Sequence, residues 1–285
     1  MEKVVVTGAT GLIGKESIIP LQKSGFEVIR IDSASCNLFD FNKVSSLFNT
    51  CKPKYLLHFA WITGSEGYLQ NPINRTYCDA SFNLLKQFYN NGGYRAVYAG
   101  TYFEYDLKAS MPLSETSPLH PTSIYAESKA RLQKLCSEFC QKHSGSFSWG
   151  RIFNVYGHGE KAGRLTSSLV TSLLEEKTFI VKCGQLLRDY MYSKDIAAAF
   201  VRLLQSDVQG TVNICTGKGI KLASFAMKIA EKLSKAPLLE IHEEETDQPL
   251  SIIGDNSRLR NEVLFDNFTD SDTALDSILG DYRRT

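Results

Sequence analysis

At 285 residues the chain has room for one large domain or two modest ones, each with a sizeable core. Its 32 Lys plus Arg balance 31 Asp plus Glu, so no field of either sign gathers polyanions, and nucleic acid is not an expected partner. Apolar runs are strand-like and far shorter than the ~20 residues of a membrane span; Met1 leads straight into the first strand, so a cytoplasmic protein without a signal peptide is expected.

Residues 3–14, Lys-Val-Val-Val-Thr-Gly-Ala-Thr-Gly-Leu-Ile-Gly, organise everything that follows. The β-branched run Val4 to Val6 reads as a buried parallel strand, and Gly8, Gly11 and Gly14 carry the backbone into an amphipathic helix. Such a corner needs glycine for its tight turn and for close approach of a phosphate, which the N–H groups and positive end of the helix would receive. A second strand, 27–31, ends at Asp32, where an acid would hold the adenosine ribose of a dinucleotide through its hydroxyls.

Strand and helix then alternate. A strand is expected over 54–60, a helix over 72–91 through Leu84, Leu85 and Phe88, a strand over 96–100, a helix over 123–143 after a loop broken by Pro112, Pro118 and Pro121, and a strand over 148–153. Strands separated by helix-length segments imply right-handed crossovers and a parallel sheet covered on both faces. Further helices are expected over 165–175 and 193–205, the latter packing back on the sheet, with strands over 178–182 and 211–215. The acidic run 243–245 reads as a solvated face. Seven cysteines without zinc-type pairing point to neither disulfides nor a metal, and Cys136 and Cys140, four apart on one helix, read as packing.

Tyr125 and Lys129 form a Tyr-x-x-x-Lys pair on one helix face. A phenol with a reference pKa of ~10 is a poor acid-base group at neutral pH, and a fixed ammonium beside it would lower that value. Thirteen tyrosines produce roughly one such spacing by chance. A second copy, Tyr190 to Lys194, straddles a strand end and a helix start, where the two heads should not meet. Thr101 follows the strand 96–100 at the carboxyl edge of the sheet, where open α/β sheets bind ligands, and its hydroxyl can reach both a substrate oxygen and Tyr125.

With these residues the chain resembles the extended short-chain dehydrogenase/reductases of the nucleotide-sugar epimerase/dehydratase group. The resemblance rests on Thr-Gly-x-x-Gly-x-x-Gly at 7–14, His58-Phe59-Ala60, Thr101 with Tyr125 and Lys129, the run from Arg151 to Gly157, Arg188-Asp189-Tyr190, and Asn213 to Gly217. It implies a Rossmann-type, doubly wound parallel sheet with a smaller C-terminal α/β substrate domain. The first would take residues 1–153 with about 186–216, and the second 154–185 with 217–285. It also implies NAD or NADP as cofactor, a nucleotide sugar as substrate, and a homodimer.

Carried over residue by residue, the resemblance makes Tyr125 the acid-base, Lys129 its electrostatic partner and Thr101 the hydrogen bonder on the oxyanion side. Gly8, Gly11, Ile13 and Gly14 would hold the pyrophosphate and Asp32 the adenosine ribose. Further dinucleotide contacts fall on Thr10, Leu12, Ser33, Asn37, Leu38, Phe59, Ala60, Trp61 and Phe153. Substrate contacts fall on Thr101, Tyr102, Asn154, Arg164, Arg188 and Arg258. Arg188 suits a phosphate fork as well as a salt bridge with Asp189, and Arg151 suits a phosphate or a structural role. Asp32 favours NAD, while Arg30 and Ser33 leave NADP open.

Two departures narrow the expected reaction. The family's 4,6-dehydratases place an Asp-Glu pair after the active-site threonine, and here those positions are Tyr102 and Phe103, with Glu104 one place too far along. Trp61 stands where a small residue is usual, either narrowing the sugar pocket or simply packing. The expected activity is reduction of a 4-keto (6-deoxy) sugar nucleotide. A 4-epimerase with tightly bound NAD is the alternative within the family, and a non-catalytic dinucleotide-sensing regulator the alternative outside it.

Overall fold

The computed structural model describes residues 1–64 and 66–282. The first half alternates as β1 Lys3–Thr7, α1 Gly14–Lys23, β2 Glu27–Ile31, α2 Phe41–Cys51, β3 Tyr55–His58, α3 Ile73–Asn90, β4 Arg95–Thr101, α4 Ile124–His143 and β5 Ser146–Ile152. There follow β6 Asn154–Tyr156, α5 Leu165–Leu174, β7 Phe179–Val181, β8 Leu187–Arg188, β9 Tyr190–Tyr192, α6 Ser193–Gln205 and β10 Gly210–Ile214. The chain ends with β11 Ile220–Lys221, α7 Leu222–Lys232, β12 Leu239–Ile241, β13 Ser251–Ile252, α8 Ser257–Asn261 and α9 Ser271–Tyr282.

Six strands form one parallel sheet in the order β10-β5-β4-β3-β1-β2. From β1 the chain moves outward to β2 and then returns across β1 to β3, so the order reverses between β1 and β3. That reversal opens a crevice at the carboxyl ends of the strands, the place where a Rossmann-like sheet takes its ligand.

Alternation along β1 feeds two cores. Val4 and Val6 face α1 and α6, packing with Ile18, Leu21, Phe200 and Leu204, while Val5 faces α2, α3 and α4 among Phe48, Leu84, Phe88 and Trp149. A third cluster joins α5, α7 and α9 around Leu169, Phe225 and Leu275, carried with three small sheets outside the main one. Cys136 and Cys140 are buried in the second core, where burial raises both thiols. Glu243, Glu244 and Glu245 are exposed. No helix among the described residues is long and apolar enough to cross a membrane.

Local chemistry sets the ends of the helices that matter for the site. Ser123 caps α4 by accepting the Ala126 N–H at 3.2 Å, and α4 stops at Ser144, which takes the left-handed conformation at φ 53°. Helix α2 was not singled out above, although Asp40 caps it by accepting the N–H groups of Asn42 and Lys43, and Val44 and Phe48 form its buried stripe.

Arg95 locks the far edge of this sheet. The side chain is 1% exposed and donates to the carbonyls of Leu203, Leu204 and Val208 and to the hydroxyls of Ser146 and Ser148, at 2.7 to 3.1 Å. It thereby serves the last carbonyls of α6, where a cation is favoured. Arg95→Met should lower unfolding free energy by about 3 kcal/mol, because three buried carbonyls lose a charged donor. Urea denaturation measures this, and a loss below about 1 kcal/mol would show that the carbonyls find other donors.

Candidate functional site

The loop between β1 and α1 is shaped by what it has to avoid. Gly8 sits at φ +68°, and a Cβ there would lie 2.8 Å from Ala60 N, against the backbone that leaves β3. A Cβ on Gly14 would come within 2.1 Å of the Gly8 carbonyl, which instead accepts the Gly11 N–H at 2.9 Å. The strand read over 54–60 ends at His58 for this reason: Phe59 and Ala60 turn aside beside Gly8. Helix α1 has no side-chain cap at Ile13, although its Lys15 and Glu16 N–H groups already donate to the carbonyls of Gly11 and Ile13.

Below this loop runs a cleft of about 900 Å³. Its dinucleotide end is lined by Gly8, Thr10, Gly11, Leu12, Ile13 and Gly14, then by Asp32, Ser33, Asn37 and Leu38, and further in by Phe59, Ala60, Trp61 and Phe153. Asp32 Oδ1 accepts the N–H groups of Ala34 at 3.1 Å and Ser35 at 2.8 Å. These bonds, Ser35 foremost, hold its carboxyl below the ordinary range. The loop, the acid and the cleft could together hold a dinucleotide.

Thr101, Tyr125 and Lys129 meet deeper in the same cleft. The Thr101 hydroxyl lies near enough to the Tyr125 phenol to favour its ionised form. Tyr68, Trp61 and Phe103 stand edge-on to its ring at 5.4, 6.3 and 6.3 Å. Lys129 Nζ donates to the Ala99 carbonyl at 2.8 Å and lies 3.8 Å from the centre of the Trp61 ring. The expected lowering of the phenol is not what this geometry produces. Burial first, and then Tyr68, raise Tyr125 above its ordinary value, with the nearby Thr101 hydroxyl opposing. Burial pushes Lys129 down to about 7 against the pull of Glu104. The ammonium is turned to a carbonyl and a ring, so the desolvation of the phenol wins.

Glu104 explains the floor of the site. With no exposed surface, it accepts the Thr101 N–H at 2.9 Å, the Trp149 indole N–H at 3.0 Å and Arg151 Nε at 2.7 Å. Arg151 is therefore a structural partner of this carboxylate, and its guanidinium also lies over the Tyr105 ring at 4.4 Å. Tyr102 stacks on Phe103 and Phe153 at 4.3 and 5.5 Å. Its hydroxyl donates to Asn154 Oδ1 at 3.4 Å.

The substrate candidates divide. Thr101, Tyr102, Asn154 and Arg164 line the cleft, whereas Arg188 and Arg258 do not. Arg188 is 5% exposed and donates to the carbonyls of Leu187 and Pro249 and to Gln248 Oε1. Its expected pairing with Asp189 does not form, since that carboxylate accepts from Thr216 and from the Gly217 N–H. Arg258 pairs with Glu262 and donates to the carbonyls of Thr211 and Gln209 at the start of β10. The cleft opens at the other end of the strands. The two heads of the Tyr190–Lys194 copy go separate ways: Tyr190 stacks on Phe225 at 4.7 Å while Lys194 lies over Tyr192.

Sequence reading missed several cleft residues. Tyr68, Tyr77, Glu160 and Lys161 all line it; Tyr77 lies in the second turn of α3, and the other three lie outside the long helices and strands, where no period marks them. Trp61, left open above, has a definite place: its indole N–H donates to Asn74 Oδ1 at 2.7 Å and its face covers Lys129.

Gly14→Ala should weaken dinucleotide binding roughly 100-fold, because the added methyl forces the loop open. Fluorescence titration with NADH measures this, and unchanged affinity would remove the loop from the binding site.

Known proteins resemble this chain in sequence and in fold. The chain is 27% identical over 277 residues to GDP-6-deoxy-D-talose 4-dehydrogenase of Aggregatibacter actinomycetemcomitans, covering 91% of this chain and 90% of that one. It is 27% identical over 240 residues to the spore coat polysaccharide biosynthesis protein SpsK of Bacillus subtilis, covering 81% and 80%. In fold it matches the UDP-glucose 4-epimerase of Thermotoga maritima with a TM-score of 0.90, at 20% identity over 99% of both chains. RMD from Pseudomonas aeruginosa, solved with NADPH, matches with a TM-score of 0.88 at 21% identity over the whole of both chains. The model of the NAD dependent epimerase/dehydratase family matches residues 4–215. Those residues run from β1 to just past the end of β10, and the chain belongs to that family.

Proposed function

We propose that this chain reduces the carbonyl of a 4-keto sugar nucleotide. The observation that carries this reading is the state of Tyr125. Burial favours the neutral phenol, and Thr101 and Lys129 line the same cleft beside it. A group in that state is ready to give a proton to an oxygen that gains negative charge.

When bound, the reduced nicotinamide supplies the hydride that adds to the sugar carbonyl carbon. Tyr125 gives its proton to the carbonyl oxygen as the C=O double bond becomes an alcohol. Thr101 orients the phenol, and Lys129 in its charged form offsets the phenolate left behind. The oxyanion exists in the transition state and not in the bound ketone, so these donors act on rate more than on affinity.

Dehydration lacks its machinery in this site. The two side chains after Thr101 are stacked aromatics, and the nearby Glu104 carboxylate is committed to Thr101, Trp149 and Arg151. The name of the talose relative places its own chemistry at a sugar C4, which supports the same position here. An ionised Asp32 repels a ribose phosphate, so NADH is the proposed cofactor.

Screening 4-keto nucleotide sugars with NADH and NADPH, by loss of reduced-cofactor absorbance, tests the reading. Protein that purifies with stoichiometric dinucleotide and interconverts two sugar epimers would replace it with 4-epimerisation. Tyr125→Phe should leave dinucleotide affinity nearly intact and lower turnover by ~10²-fold or more. Normal turnover in that variant would remove the mechanism. For the native protein, kcat/KM of ketone reduction should be level in acid and fall as pH rises through about 7, where Lys129 loses its proton. A profile flat to about pH 9 would remove Lys129 from the step.

A further inference from the structure

Both tryptophans of this chain lie on one ammonium. Lys129 Nζ is 3.8 Å from the centre of the Trp61 ring and 5.8 Å from that of Trp149. Trp149 is core, with no exposed surface. Trp61 belongs to the cleft wall and follows the end of β3, where neither strand nor helix dictates its direction.

Its direction comes from one buried side chain. Asn74, in the first turn of α3 with no exposed surface, accepts the Trp61 indole N–H at 2.7 Å. Through Nδ2 the same amide donates to the carbonyls of Tyr68 at 2.7 Å and Asn71 at 2.8 Å. Asn74 therefore aims the indole over Lys129 and also fixes the turn whose Tyr68 ring packs against Tyr125.

We propose that Trp61 is a positioning residue for Lys129: the indole face, held by Asn74, keeps the ammonium against the Ala99 carbonyl and keeps it charged in a site shielded from water. This rests on the reading of Lys129 as the partner of Tyr125. Trp carries the most negative ring face of the aromatic side chains, and its attraction for a cation grows when water is excluded.

Among the other ionisable groups around the amine, Glu104 also helps to hold its proton, and the rest supply no opposite charge. Glu104, from the turn after β4, shares its carboxylate among three donors. His58, at the end of β3, is hydrogen-bonded on both ring nitrogens, and burial keeps it neutral. Cys78 on α3 and Cys136 on α4 are thiols that burial keeps protonated. Tyr125 stays a neutral phenol. With Lys129 titrating at about 7, a change of one unit takes its charged fraction at neutral pH from about a half to about a tenth.

The test reads Lys129 directly. Lysines labelled with ¹³C at Cε are titrated by NMR, with the Lys129 signal assigned by its loss in Lys129→Met. Trp61→Leu, which keeps apolar bulk without a ring, should move the Lys129 midpoint down by about one pH unit. Trp61→Phe, which keeps a ring face, should move it less than half as far, and the upper limb of kcat/KM should follow both. Protein grown on fluorinated tryptophans, which alter ring charge with little change in size, should show a midpoint falling in step with the number of fluorines. An unmoved midpoint in Trp61→Leu, or no trend across the fluorinated series, overturns the proposal. The midpoint is read without substrate. Failure of the sugar-reduction reading would therefore appear as absent turnover beside an intact midpoint shift.

Discussion

A single buried carboxylate holds the end of the cleft that carries Thr101 in shape. Glu104 closes the turn of residues 102–104 back onto the Thr101 N–H, while Trp149 and Arg151 reach it from β5. The end of β4, the middle of β5 and the first turn after Thr101 are thus tied to one point. A buried ion pair of this kind is a weak source of stability, because desolvation offsets most of the Coulombic gain. Its consequence here is geometric. It sets the Thr101 hydroxyl beside Tyr125 and turns Tyr102 and Phe103 toward the cleft, where a dehydratase would need acids.

Aromatic rings then complete the walls, and they act on the two reactive groups in opposite directions. Excluding water raises a phenol and lowers an ammonium, since each environment favours the uncharged form. This effect keeps Tyr125 a neutral phenol, whereas it brings Lys129 to the edge of losing its charge. Glu104 at one side and the Trp61 ring face at the other oppose that loss. The glycine-loop end of the cleft is built by other means, through close backbone packing, absent Cβ atoms and one partly exposed acid. The two ends meet where the sheet order reverses between β1 and β3.

Much of this was legible in the chain itself. The valines of β1, the three glycines after it, and the helix that sets Tyr125 and Lys129 one turn apart are local patterns. Periods of two and about 3.6 residues betray them without any knowledge of neighbours. Even the choice between the two Tyr-x-x-x-Lys copies followed from this, because one copy lies within a helix and the other crosses an element boundary. The tyrosine-lysine face and the glycine corner were therefore written in short stretches of sequence.

Partners of long polar side chains were not. Arg151 finds Glu104 across 47 positions, Arg188 turns to carbonyls about 60 positions away, and Arg258 is carried to the wrong end of β10 to meet the cleft. Trp61 takes its direction from Asn74, thirteen residues on, and only then covers Lys129. By itself the sequence determined the parallel sheet, the dinucleotide loop and the tyrosine-lysine face, because backbone preference and burial period are properties of neighbouring residues. Which arginines serve the cleft, what Glu104 holds and how the phenol and amine are tuned were decided by the tertiary structure. Those outcomes depend on charges and rings from distant strands being brought within a few ångströms and closed off from water.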